Sequence, residues 1–200
     1  FIQLPKNKKE NNNHSQAEED IKKILICFGG EDPKGFTIPL ANVFAQAFPV
    51  AKIVAIMSNE NNQQIEKNVN VVKPILNLKE HLYEYDIVVT HYGLTAFEAI
   101  YAGCGVILLP TTKLHKNLAE KYKIPLLQNE NITAEEIKQF VKSNNLFPSL
   151  PINSNSNSLG DFIQKISEGQ KLLCPICTQN SNKADKIIAR NNTRTYRRCE

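Results

Sequence analysis

The chain has 200 residues, 42% of them apolar and 22% charged, which suits one globular domain of ordinary size with an appendage. A core of that size needs no disulfide staples, and no apolar run approaches the roughly 18 residues required to cross a bilayer, so an integral membrane protein is excluded. The net charge of +4 is uneven: residues 171–200 hold seven Lys/Arg against two Asp/Glu, while the rest of the chain is close to neutral and offers no basic face for nucleic acid.

Residues 5–20 (PKNKKENNNHSQAEED) are polar, Asn-rich and aperiodic, and read as a linker or exposed loop. Ahead of them FIQL reads as the last strand of a preceding domain. The chain opens on Phe1 rather than Met, shows no charged and apolar secretory segment, and reads as part of a longer protein. From residue 23 the pattern changes. KILICF is a continuous apolar run ending in Gly29 and Gly30, as expected of a strand buried on both faces. Helical spacing over 36–48 follows, then strands over 51–57 and 68–75, helical EHLYEY at 80–85, and strand DIVVT at 86–90. A helix at 94–102, strand GVILLP, a helix at 114–122 and a short LLQ strand complete the alternation. Last comes a helix after Thr133, where Glu136 three residues on completes a capping box. Strands of four to six apolar residues alternating with helices predict an α/β fold with a doubly wound parallel sheet, because parallel crossovers need a covering helix. SLPINSNSNS (149–158) is a second polar linker, DFIQKIS a short helix, and residues 171–200 a separate basic module.

Ligands of an open parallel sheet bind at the carboxyl ends of its strands, so three loops carry the interest. FGGEDPKG after the first strand has adjacent glycines that let backbone approach a ligand, and the helix start behind them can offer amides to an anion; a plain tight turn explains the pair equally well. In THYGLTAFEA after the fourth strand, Gly93 permits a tight turn and the amides of Leu94 and Thr95 become first-turn donors suited to a diphosphate. Glu98, one turn inward, can accept from vicinal hydroxyls such as a ribose. The structural alternative is that Thr95 caps the helix and Glu98 complements its dipole. PTTKLHKNLAE after the fifth strand puts His115 and Asn117 on the same rim, as solvated side chains or as a sugar contact. No GxGxxG, GxxxxGK[ST] or DxD motif is present, and neither converging carboxylates nor a Ser/His/Asp set can be placed.

Together FGGEDP, DIVVTHYGLTAFEA and AGCGVILLP resemble the carboxyl-terminal, Rossmann-like half of two-domain nucleotide-sugar enzymes of the GT-B fold. The resemblance covers roughly residues 22–145. It is nearest to the spore-coat polysaccharide biosynthesis protein SpsG and the UDP-sugar hydrolase of pseudaminic acid synthesis, and extends to the GlcNAc transferase of lipid II. It implies a bacterial glycosyltransferase-like or UDP-sugar hydrolase enzyme of surface polysaccharide synthesis, with UDP or a UDP-sugar as ligand and no cofactor in the main domain. Gly29 and Gly30 would approach the diphosphate and sugar. Gly93, Leu94 and Thr95, with Tyr92 beside them, would hold the phosphates, Glu98 the ribose, and Pro74, Ile75 and Leu76 the uracil. Where family members carry Asn-Gln to touch the sugar, this chain has Leu114 and His115, a departure from the pattern. The hydrolases draw their catalytic histidine from an amino-terminal domain that this chain does not contain, so activity of the chain alone is not expected.

Five cysteines, an odd number, argue against a disulfide framework, and Cys27 and Cys104 inside apolar runs read as buried thiols in a reducing, cytoplasmic setting. Cys174 and Cys177 form a CxxC knuckle, and Cys199 is a third possible ligand for a structural zinc ion. The pattern resembles a zinc ribbon whose last knuckle is cut off, of the kind that precedes class I methyltransferase domains in some sugar-modifying proteins. The organisation expected is thus a linker from an absent amino-terminal domain over 1–21, a nucleotide-sugar domain over 22–148, a linker and helix over 149–170, and a zinc-ribbon-like module over 171–200. A competing class is a non-catalytic binding or scaffold module fused to a methyltransferase.

Overall fold

The strands form where apolar residues run without interruption. In the computed structural model, which describes residues 4–9, 20–29, 32, 35–58, 64–128, 131–148, 187–191 and 194–197, β1 (Lys23–Cys27), β2 (Lys52–Ile56), β3 (Val69–Val72), β4 (Ile87–Thr90) and β5 (Gly105–Leu108) make one sheet. Its order is β3-β2-β1-β4-β5, every pair parallel. That is a Rossmann-like order, running outward from β1 in one direction and then from β4 in the other. A single parallel bridge from Leu108 to Leu126 stands where a short sixth strand was expected.

Alternate residues of each strand feed two cores. Ile24, Ile26, Ile53, Ala55, Ile87, Val89 and Ile107 face α1 (Thr37–Ala47) and α4 (Ala134–Ser143), with Phe44 and Ile137 wholly buried among them. Leu25, Cys27, Val54, Val88, Val106 and Leu108 face α2 (Leu94–Tyr101), α3 (Lys113–Lys121) and the 3-10 helix Leu78–Glu84. Coverage on both faces is why the strands read as unbroken apolar runs rather than as alternation. Pro39 falls in the first turn of α1, where a missing N–H costs no helical hydrogen bond. The capping box of α4 is formed in both directions: Thr133 Oγ1 accepts from the Glu136 amide, and Glu136 accepts from the Thr133 amide at 2.7 Å.

Residues 4–9 differ from the expected exposed linker. Pro5 is buried, the Lys9 amide donates to Ala102 O at 2.9 Å, and the Lys9 ammonium meets Asp86 at 2.6 Å. The Lys6 amide donates to Glu80 Oε2 at 2.9 Å, and the Lys8 ammonium sits 3.5 Å above the Tyr101 ring. These groups hold a strap to the amino-terminal end of the sheet.

The chain divides into two compact units, Ile2–Leu150 and Pro151–Glu200. Within the second, β6 (Ile187–Asn191) and β7 (Arg194–Arg197) pair as an antiparallel hairpin. Cys174, Cys177, Cys199 and the DFIQKIS segment lie outside the described residues, as does most of FIQL. No helix among the described residues is long and apolar enough to cross a membrane.

Candidate functional site

Strand order reverses between β1 and β4, so the crevice at their carboxyl ends is where an open sheet of this kind accepts a ligand. Two turns meet there. Gly29, which follows β1, has φ of +85°, a left-handed conformation that a side chain would strain, and a methyl group on it would stand 3.6 Å from His91 Cε1. Gly93, which follows β4, is the N-cap of α2 in extended backbone. Lacking a side chain, it gives the helix no side-chain cap.

The first turn of α2 therefore lacks the side-chain cap that Thr112 gives α3 and Thr133 gives α4. The Ala96 amide reaches Gly93 O at 3.2 Å, but the Leu94 and Thr95 amides have no hydrogen-bond partner among the described residues. Thr95 is the second residue of the helix and not its cap, so the capping alternative for it does not hold. Glu98 lies one turn further on, half-buried, and burial pushes its carboxyl up from the ordinary value. The Lys79 ammonium opposes that shift and Glu80 reinforces it, which places Glu98 beside the 3-10 helix.

That helix is entered from the loop after β3. Pro74 and Leu76 are exposed there, Leu76 at 85%, while Ile75 packs against the α2 face of the core. Asn77 turns the chain with φ of 54°, and Leu78–Glu84 then leads back to β4.

At the β5 rim, α3 is capped by Thr112, whose Oγ1 accepts from the His115 amide at 3.1 Å. The His115 ring shares a 2.8 Å hydrogen bond with Thr111 Oγ1 through Nδ1. It lies 6.0 Å from the His91 ring and 6.0 Å from the Tyr92 ring, near-parallel to both, and Tyr92 meets Phe97 edge-on. Leu114 beside it is 63% exposed and Asn117 is exposed as well.

One expectation is corrected. The helix start after FGGEDPKG does not offer its amides to an anion, because Asp32 already accepts from the Phe36 amide at 3.1 Å and the Thr37 amide at 2.7 Å. An internal carboxylate occupies that N-terminus, which leaves α2 as the open helix start on this side of the crevice. Gly30 lies outside the described residues. His91 is the residue that sequence reasoning missed. The THYG turn drew attention for its glycine, and only the strand order shows that the histidine preceding it faces β1. Among the described residues no cluster of three or more His, Cys, Asp or Glu is gathered as a metal site.

No protein-family model matches the chain. Among curated proteins it is similar to an uncharacterized protein of Methanocaldococcus jannaschii, 27% identical over 126 residues that make up 58% of this chain and 26% of that protein. Among solved structures it is similar to the glycosyltransferase SnogD from Streptomyces nogalater, with 22% identity and a TM-score of 0.48 over 61% of this chain and 35% of that one. It is also similar to the spinosyn forosaminyltransferase SpnP, with 17% identity and a TM-score of 0.47 over 64% of this chain and 35% of that one. The chain thus spans about a quarter of the archaeal protein and about a third of each of these structures.

Proposed function

We propose that this chain is the nucleotide-sugar-binding half of a GT-B-type enzyme that grips the diphosphate of a UDP-sugar between β1 and β4. The observation that carries the reading is the start of α2 at the strand-order reversal, with no side-chain cap, its Leu94 and Thr95 amides without a hydrogen-bond partner among the described residues, and Gly29 in the neighbouring turn. Oriented main-chain donors at a helix N-terminus suit a diphosphate, and in a transfer or hydrolysis reaction they stabilise the charge that develops on the leaving nucleotide. Glu98 supports the same reading as acceptor for the ribose hydroxyls, and the loop Pro74–Leu76, joined to it through the 3-10 helix, as the seat of the base. The attacking group, water or an acceptor hydroxyl, comes from outside this chain.

Thermal unfolding with UDP and with UMP tests this. At UDP about a hundredfold above its Kd, binding adds about 2.7 kcal/mol to stability. UDP is expected to raise Tm more than UMP does, and Glu98→Ala to weaken UDP binding about ten- to a hundredfold, the worth of hydrogen bonds to a charged group. No shift at millimolar UDP overturns the reading. That result would favour the binding-module alternative, for which exposed Leu114 in the sugar-contacting position is the supporting observation.

A further inference from the structure

Residues 4–9 lie on a surface formed by the 3-10 helix, the end of α2 and the start of β4, and the match runs along the whole segment. Pro5 is buried. Glu80 takes two donors, the Lys6 amide on Oε2 at 2.9 Å and the Asn7 side-chain amide on its main-chain carbonyl at 3.3 Å. The Lys8 ammonium stands 3.5 Å over the Tyr101 ring. The Lys9 amide donates to Ala102 O at 2.9 Å, and the Lys9 ammonium meets Asp86 at 2.6 Å. Gly103 leaves room for that last residue: a side chain there would begin 3.3 Å from Lys9 Cβ, and φ of +84° disfavours one. Two carboxylates, an aromatic face and a glycine notch thus meet a segment that brings a proline and two adjacent cations.

The receiving surface does not depend on its occupant. Without the strap, Asp86 still accepts from the Lys22 and Lys23 amides at 2.9 Å each. Leu82 is wholly buried, and its carbonyl receives the Cys104 thiol at 3.0 Å, so the 3-10 helix is pinned from within. The strap is held mainly by polar contacts near the surface. The Lys9 and Asp86 side chains are 27% and 30% exposed, where salt weakens an ion pair. Segments held in this way open at a free energy below that of global unfolding.

We infer that this surface is a recognition site for a basic, proline-led peptide segment, and that residues 4–9 occupy it as a reversible intramolecular ligand which a free segment of the same chemistry displaces. The tether of residues 10–21 supplies an effective concentration on the millimolar scale. A segment that stays docked on it therefore has a Kd of about 1 mM or tighter when free. The site lies at the amino-terminal end of the sheet and is independent of the diphosphate reading.

The test is a titration of the synthetic peptide LPKNKK, residues 4–9, into the isotope-labelled full chain, with the amide signals of Glu80 and of Tyr101 to Gly103 followed by NMR. No nucleotide enters it. Lys9→Glu sets two carboxylates against each other and vacates the site. This variant is expected to bind the peptide about tenfold more tightly than the wild type, whose site is already filled. Alanine in place of both terminal lysines of the peptide should weaken binding about tenfold, and raising salt from about 50 mM to about 500 mM should weaken it as well. Binding to neither chain, equal binding to both, or equal binding of the alanine peptide overturns the inference. Should Lys9→Glu fail to fold, the wild type alone decides. Excess peptide is expected to speed hydrogen exchange of the Lys9 amide severalfold by displacing it from Ala102 O, and an unchanged rate overturns the inference in the same way.

Discussion

At the amino-terminal end of the sheet the Asp86 carboxylate receives the Lys9 ammonium at 2.6 Å and the Lys22 and Lys23 amides at 2.9 Å each, whereas at the carboxyl-terminal end the Leu94 and Thr95 amides and the His91 ring nitrogens have no hydrogen-bond partner among the described residues. A second contrast, within the carboxyl-terminal side itself, lies in the side-chain caps of the helices. Asp32 closes α1, Thr112 closes α3, and Thr133 with Glu136 closes α4, while α2 begins on a glycine. The Asp86 carboxylate is fully engaged where the strap is held, and α2 is left without a side-chain cap where the strand order reverses. On the proposed function, stability and binding reside at opposite ends of the same strands, and substitutions can separate them.

The largest effect is expected at Asp86. Burial is the strongest influence on its carboxyl and pushes it up, but the Lys9 ammonium and the two amides together outweigh burial and hold it below the ordinary value. Asp86→Ala leaves those donors without an acceptor and frees the strap, a loss of about 2–4 kcal/mol by urea unfolding. UDP affinity of the folded protein should be unchanged, and a parallel loss of affinity would show that the two ends are not separable. The depressed value also sets a pH dependence. The contribution of Asp86 is complete above the ordinary carboxylate value of about 3.9 and is lost as pH falls through the lower folded-state value. The stability gap between wild type and Asp86→Asn should accordingly narrow in acid. A gap that widens as pH drops would contradict the sign.

At the opposite end the expected effect is smaller in stability and larger in binding. Gly93→Ser supplies the cap that α2 lacks. Backbone at φ of −176° accepts any residue, and a Cβ there meets His91 Nε2 at 3.3 Å, so the ring has to yield by a few tenths of an ångström. A serine hydroxyl on the free amides changes stability by only a few tenths of a kcal/mol relative to glycine. It also competes with the diphosphate, and the UDP-induced rise in Tm should disappear. Undiminished UDP binding in Gly93→Ser would mean that these amides are not the phosphate donors.

Much of the fold was legible in the chain itself because both faces of the sheet are covered. Covered strands leave unbroken runs such as KILIC and IVVT, and the α4 capping box is a local signal that needs no tertiary context. The β4–α2 turn was legible for the same reason, through Gly93. Strand order was not, because nothing local in IVVT records that its neighbour is β1, and so the approach of His91 to Gly29 was hidden. Asp32 escaped for a related reason: its carboxylate reaches amides four and five residues ahead, a geometry that a motif of adjacent glycines does not encode. The docking of residues 4–9 was hidden by composition. Lysine and asparagine read as solvated, yet here Lys9 and Lys8 find Asp86 and the Tyr101 ring more than seventy residues away.

The smallest expected effect on binding is at Thr133, and it serves as the control for Gly93. Both residues begin helices, but Thr133 carries the side chain that Gly93 lacks, its Oγ1 accepting from the Glu136 amide and donating to the Glu136 carboxylate at 2.7 Å. Thr133→Ala removes the side-chain cap of α4, the feature α2 lacks, and leaves the Glu136 carboxylate on the residue-133 amide. Loss of a threonine cap costs about 1 kcal/mol in typical helices, and α4 has Ile137 and Val141 anchored in the core to limit fraying. A small fall in Tm is therefore expected with no change in the response to UDP, since α4 packs against α1 on the face away from α2 and α3. The pair of variants then tests position against capping. If uncapping alone created an anion site, Thr133→Ala would bind pyrophosphate in a second, weaker phase of the titration. A single phase that Gly93→Ser removes and Thr133→Ala leaves intact would show that the site needs the crevice between β1 and β4, with Gly29 and His91 opposite the helix, and not merely an unfinished helix end.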